Sequence, residues 1–243
     1  MKHILILGAT SDIAKALAHK FADQGYNLTL AARESERLAE VVTDLEIRHN
    51  VKAEAVEFDA LSYESHANFY NNLTAKPDVV VCVFGYLGNQ QAAQSEFSEA
   101  EQIINANYTG AVSIVNIIAN DFEQRKSGSI VGISSVAGDR GRQSNYLYGS
   151  AKAALTAYLS GLRNRLSKSN VHVITVKPGF VRTKMTSGLP LPGPVTAKPE
   201  QVANDVFKAY QKQSNQVYTL WMWQYLMLII RHIPEPIFKR MSL

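Results

Sequence analysis

Ile4, Leu5, Ile6 and Leu7 run straight into Gly8, and helical spacing begins at Asp12. A short apolar strand that turns through a glycine into a helix leaves the next strand to lie parallel beside the first. The pattern then repeats. Residues 12–24 place Ile13, Leu17 and Phe21 on one helical side, Gly25 ends the run, and residues 28–31 form a second strand. Residues 34–48 are helical by the spacing of Leu38, Val41 and Leu45. Strands are expected at 55–58, 79–83, 130–133, 172–176 and 218–220. Residues 99–124 hold one long helix or two joined pieces, and another helix starts near Tyr146. Seven strands with helices between them predict an α/β fold, a doubly wound parallel sheet flanked by helices.

No internal repeat or flexible linker interrupts the 243 residues, so a single domain over 1–243 is expected. A net charge of +4, with no long basic block in the body, argues against nucleic acid as partner. Cys82 is the one cysteine, which excludes an internal disulfide and thiolate metal clusters. The six histidines are scattered, so no metal site is expected. His3 falls at the start of the first strand and His172 beside a later one. Only four apolar residues follow Lys2 and His3, too few for a secretory leader, and a cytoplasmic location is the expectation.

The loop "GATSDIA" places Gly8 where the backbone must approach closely, and the free amides of the following helix make an anion site. Ala14 is small enough for tight helix–sheet packing. Asp12 fits less well: its carboxylate is suited to capping the helix and would repel a pyrophosphate laid directly against it. A capped helix start without a ligand is the plainer alternative. The end of the second strand reads "LTLAAR". NAD sites place an acid there for the ribose hydroxyls, whereas this chain has Arg33, whose planar fork of donors suits a phosphate. That favours NADP(H), with NAD(H) left open. A solvated arginine at a helix start is the alternative.

In "GISSVAGDRGRQSNYLYGSAK", Tyr148 and Lys152 stand at i and i+4 on one helical face. A lysine beside a phenol favours phenolate and helps it exchange protons. Ser135 closes the preceding strand, where its hydroxyl can meet a substrate carbonyl or alcohol. A Tyr–x–x–x–Lys spacing arises by chance in many helices. Its place after a strand ending in Ser-Ser is what carries weight here.

With these residues in view, the chain resembles the short-chain dehydrogenases/reductases across essentially its whole length. "GATSDIA" resembles their glycine-rich cofactor loop, with Asp12 and Ala14 in place of later glycines. Thr10, Ser11 and Ile13 share that loop. Asn107 in "NANYTG" matches the catalytic asparagine, and Ser135, Tyr148 and Lys152 match the other active residues. "KPGFVRT" resembles the segment flanking the nicotinamide, with Pro178, Gly179, Val181 and Thr183. Asp59 resembles the acid that holds the adenine. One departure stands out. The family's Asn-Asn-Ala-Gly run is replaced by "CVFGYLG", which keeps only Gly85. The resemblance implies a Rossmann-like fold and hydride transfer from a nicotinamide to a carbonyl. It also implies Tyr148 as proton donor, Ser135 stabilising the oxygen, and Lys152 tuning the tyrosine and holding the nicotinamide ribose. A nonenzymatic NADP(H)-binding regulator would not need this intact set.

"TKMTSGLPLPGPVTAKPE" carries too many prolines and glycines for regular structure. The resemblance makes it a substrate cover with Met185, Leu189, Leu191 and Val195 as apolar contacts; an exposed connector is the alternative. The tail, about 221–243, clusters Trp221, Trp223 and Tyr225 with Leu226–Ile230 ahead of Arg231, His232, Lys239 and Arg240. Residues 217–230, at about 1.5 Å each, cover roughly 21 Å as a helix, short of a hydrocarbon layer near 30 Å. Shallow membrane-surface contact and a subunit interface are the two readings. Together with "GATSDIA" and "VFGYLG", the tail resembles membrane-associated family members that reduce a 2-keto pentose carried on a polyprenyl phosphate. A lipid-linked carbonyl is thus the narrow substrate expectation, and a soluble or lipid ketone the alternative. A homo-oligomer, dimer or tetramer, is the expected assembly.

Overall fold

The computed structural model describes residues 2–241. The chain runs β1 (His3–Leu7), α1 (Asp12–Ala22), β2 (Asn27–Ala32), α2 (Ala39–His49) and β3 (Ala53–Glu57). Next come α3 (His66–Asn71), β4 (Val79–Cys82), α4 (Ala92–Ser95), α5 (Phe97–Ile104), α6 (Gly110–Arg125) and β5 (Gly128–Ile133). The second half contains α7 (Tyr146–Leu166), β6 (Val171–Pro178), and the two-residue strands β7 (Phe180–Val181) and β8 (Thr196–Ala197). It closes with α8 (Pro199–Gln211), β9 (Gln216–Thr219), α9 (Met222–His232) and α10 (Glu235–Phe238).

Seven strands form one parallel sheet in the order β3-β2-β1-β4-β5-β6-β9, as the strand–helix alternation predicts. Chain order reverses between β1 and β4, so a crevice opens above their carboxyl ends, the usual place for a ligand in such sheets. The central strands are apolar on both faces because helices cover both. Ile4 and Ile6 of β1 pack with Leu17 and Phe21 of α1 and with Val206 and Phe207 of α8. Leu5 and Leu7, pointing the other way, pack with Ile114 and Ile118 of α6 and Leu155 and Leu159 of α7.

The 99–124 stretch proves to be two helices joined by a wider turn at Asn105–Thr109. A Cβ at Gly110 would lie 2.4 Å from the Ala60 carbonyl oxygen, so the chain passes hard against the loop after β3 there. The stretch at 34–48 begins as a tight turn at Ser35–Leu38 before α2.

The tail is not one surface. Trp223 and Met227 of α9 are buried with Val136, against Phe180, Val195 and Tyr218. A Cβ at Gly179 would fall 2.0 Å from the Trp223 ring, so the glycine is what admits the indole. Arg140 secures the far end of α9, donating to the Ile230 oxygen at 2.6 Å and the Ile233 oxygen at 2.7 Å. These are carbonyls that a helix C-terminus leaves free. The opposite face of α9 exposes Trp221, Tyr225, Leu228 and Ile229. The last two residues of the tail lie outside the described residues. No described helix is long and apolar enough to cross a membrane.

Candidate active site

Two adjoining cavities follow the carboxyl edge of the sheet. The inner one, about 270 Å³, is walled by Thr10, Ser11, Asp12 and Ile13 on one side. Gly85, Ser135, Tyr148 and Lys152 also line it, as do Pro178, Gly179, Val181 and Thr183. The outer one, about 550 Å³, takes in Gly8, Arg33 and Asp59. Of the catalytic and cofactor-binding residues expected from sequence, only Asn107 lines neither; of the expected cover contacts, Met185 lines both, and Leu189, Leu191 and Val195 line neither. Asn107 is buried behind the wall in the turn between α5 and α6, donating to the Tyr86 oxygen at 2.6 Å and the Ile103 oxygen at 2.8 Å. A Cβ at Gly85 would lie 2.7 Å from Asn107 Oδ1 and 3.3 Å from Lys152 Nζ. That crowding explains why this glycine stands in a segment that otherwise departs from the family pattern.

Gly8 adopts φ +89°, and a Cβ there would be 2.7 Å from the Phe84 nitrogen. Ser11, not Asp12, caps α1, its Oγ accepting from the Ala14 amide at 3.1 Å. The Asp12 carboxylate instead accepts from the Lys184 amide at 2.7 Å. This corrects the capping expectation and relieves the clash with an anion: the acid is engaged by the start of the cover segment. Within that segment Val195 belongs to the Trp223 cluster, and its oxygen accepts from the indole N–H at 3.0 Å. Met185 and Leu189 are about half exposed.

Burial pushes the Tyr148 phenol up to about 12, with a hydrogen bond from Ser135 acting against it. At neutral pH the phenol therefore keeps its proton. Burial likewise pushes Lys152 down to about 8, opposed by Cys82. The ammonium lies 5.7 Å from the Tyr148 ring centre and donates to the Ile133 oxygen at 3.0 Å. Burial is the larger influence on this phenol in the structure, and the Ser135 hydrogen bond opposes it. Ser135 Oγ accepts from the Ala137 amide at 3.1 Å, which leaves its O–H to donate. Beneath these groups Lys177 and Asp139 form a buried ion pair at 2.5 Å, and Tyr218 donates to the same aspartate at 2.8 Å.

The outer cavity holds cations that no motif in the sequence marks. Arg37 and Lys15 line it beside Arg33. Arg37, four residues after Arg33, is the one the sequence could have offered, because that spacing repeats a helical face. It pairs with Glu34. Glu57 accepts from the Glu34 and Ser35 amides at 3.1 and 3.0 Å, fixing the turn that carries Arg33. Asp59 Oδ1 accepts from the Leu61 amide at 2.9 Å. The buried His66 bonds the Asp59 carbonyl at 2.9 Å and Ser113 at 2.8 Å, bracing that loop.

Glycine-permitted close approaches, a capped helix aimed at the crevice and clustered cations make this a dinucleotide site by its donor set. Fold and site together define an NAD(P)(H)-dependent oxidoreductase. The short chain dehydrogenase family matches residues 2–191, and the chain belongs to that family. It is 33% identical to an uncharacterised oxidoreductase of Mycobacterium tuberculosis, covering 98% of this chain and 96% of that one. It is 29% identical to the 3-oxoacyl-[acyl-carrier-protein] reductase of Aquifex aeolicus, covering 83% and 87%. A short-chain dehydrogenase from Sphingobium yanoikuyae in complex with NADPH shares the fold, with a TM-score of 0.82, 23% identity and 97% of each chain covered.

Asp12→Ala should free the start of the cover segment while leaving the sheet intact. Loss of a hydrogen bond to a charged group, worth about 1.5–3 kcal/mol, should speed tryptic cleavage after Lys184 by at least about tenfold. Timed limited proteolysis with mass spectrometry checks this, and Asp12→Asn, which keeps an acceptor, should stay close to the parent.

Proposed function

We propose that the chain is an NADPH-dependent reductase of a ketone, with Tyr148 as the proton donor. The observation that carries this is the placement of Tyr148 with Ser135 and Lys152 on the inner cavity at the end of β5. Gly8, Thr10, Ser11 and Ile13 would cradle the pyrophosphate, with Arg33 and Arg37 on the adenosine phosphate and Asp59 at the adenine. Gly85, Pro178, Gly179, Val181 and Thr183 would enclose the nicotinamide end. When bound, the cofactor supplies the hydride that reaches the carbonyl carbon.

The chain's own groups handle the oxygen. Tyr148, its pKa held high by burial, carries a proton for the growing alkoxide. Ser135, whose acceptor side is taken by the Ala137 amide, donates a second hydrogen bond to the same oxygen. Lys152 keeps further N–H donors for the nicotinamide ribose after its bond to Ile133. Asn107 holds the Tyr86 backbone and stands against Gly85, which positions the lysine's surroundings. The NADPH-bound Sphingobium enzyme and the 3-oxoacyl reductase support a reductive reading with a phosphorylated cofactor.

Tyr148→Phe should keep cofactor affinity and lose turnover by at least about a hundredfold, measured by single-turnover NADPH oxidation with a panel of ketones. Near-normal hydride transfer would overturn the assignment. Arg33→Ala should weaken NADPH more than NADH in paired fluorescence titrations, and equal losses would reject a phosphate role.

A narrower reading, a keto-sugar on a polyprenyl phosphate met at a membrane surface, draws on the exposed Trp221, Tyr225, Leu228 and Ile229 beside Arg231 and His232. Such a face suits shallow insertion with its cations at anionic headgroups. Anionic vesicles should sediment the full chain, and Trp221→Ser with Leu228→Ser should release it. Absence of vesicle binding, with these residues buried between subunits, would overturn that reading.

A further inference from the structure

Among the described residues, three of the four buried side-chain polar atoms that lack a partner share one neighbourhood: Gln90 Nε2, Arg142 Nε and Asn145 Oδ1. Folded chains seldom leave such atoms unpaired, and where they do the missing partner is often a ligand or water. Backbone bonds hold the three residues around the start of α7. The Asn145 amide donates to the Arg142 oxygen at 3.1 Å, and the Asn145 oxygen accepts from the Gly149 amide at 2.8 Å. Gln90 Oε1 accepts from the Leu147 amide at 3.0 Å. Asn145 stands at the N-cap of α7, where an asparagine ordinarily caps with its side chain, yet this one does not. Gln90 serves a first-turn amide in its place. Tyr148 sits in that same first turn.

Arg142 differs from its neighbour Arg140, which is spent on the tail. No described carboxylate pairs with Arg142, and burial lowers its pKa. Arg142 is partly buried, with its Nε buried and unpartnered, and a guanidinium without a carboxylate can receive an oxyanion, which its fork of donors can bind through two oxygens.

We propose that Arg142, with Gln90 as a second donor, forms an oxyanion subsite for a carboxylate or phosphate carried by the substrate near its carbonyl. Asn145 Oδ1 accepts from a hydroxyl of the same molecule. The subsite rests on the reductase reading and narrows it to anionic, hydroxylated carbonyl compounds.

Three matched probes test it on the full chain saturated with NADP+: 2-oxo-2-phenylacetate, benzoylphosphonate and the neutral methyl ester of the first. At least one anion should bind at least about tenfold tighter than the ester by titration calorimetry, the scale of a charged hydrogen bond. Which anion wins separates carboxylate from phosphate chemistry. Arg142→Gln should abolish the difference while leaving NADPH affinity and melting temperature unchanged. Arg142→Lys, which keeps the charge, should retain part of it and guards against a folding defect in the first variant. Equal affinities, no anion binding, or a preference that survives Arg142→Gln would overturn the subsite. Turnover of the ester with no gain for either anion would remove the subsite and leave the reductase reading standing. Failure of NADPH oxidation with ketones of every charge would count against that reading instead.

Discussion

The buried pair between Lys177 and Asp139 holds together the parts on which this site depends. Lys177 lies on β6 immediately before Pro178 and Gly179, and Asp139 follows the Ser135 turn. Tyr218 of β9 joins the same carboxylate. Three segments that leave the sheet separately are thereby locked to one another beneath the inner cavity. Two desolvated charges are costly to bury, and removing one partner leaves the other stranded, commonly at about 3–5 kcal/mol. The next residue, Arg140, extends the link to α9 through helix-end carbonyls and lies 3.6 Å from the Phe238 ring. The tail is thus mechanically part of the site's foundation, whatever its outer face meets.

Charge and burial divide the crevice into regions with different work. In the inner part, burial pushes Tyr148 up to about 12 and draws Lys152 down to about 8. The outer part gathers Lys15, Arg33 and Arg37 at the rim of β2 and α1. Asp12 lies between the two, and its carboxylate is held by a backbone amide rather than facing the crevice unpaired. An acid in a loop built for anions is tolerable on those terms.

The centre of the sheet was legible because β1, β2, β4, β5 and β6 are short, mainly apolar runs closed by a glycine, a turn or a polar break, and the residues at their ends therefore fall on the crevice. That is why Gly8, Arg33, Ser135 and Pro178 could be placed from the chain alone. What was not legible depends on contacts between distant segments. The break between α5 and α6 answers to Ala60, and the state of the tyrosine to its burial. Asp12 finds its partner 172 positions away. The tail misled because apolar spacing shows that a helix has an apolar face, not what covers it. Here Trp223 and Met227 are covered by the fold while Leu228 and Ile229 are not. Arg142 and Gln90 carried no motif, and only unpaired atoms in three dimensions bring them forward.

Gly179 lines the inner cavity and Trp223 lies in the tail helix, yet a side chain at 179 cannot be added while the indole is in place. The ring occupies the space a side chain at 179 would need. A chain drifting toward a shorter tail would first lose the indole and leave a void; only then would position 179 tolerate alanine. The reverse order passes through a collision. Mutational paths away from this arrangement are therefore directional, and exchanging the tail alone would carry one half of a lock without its key.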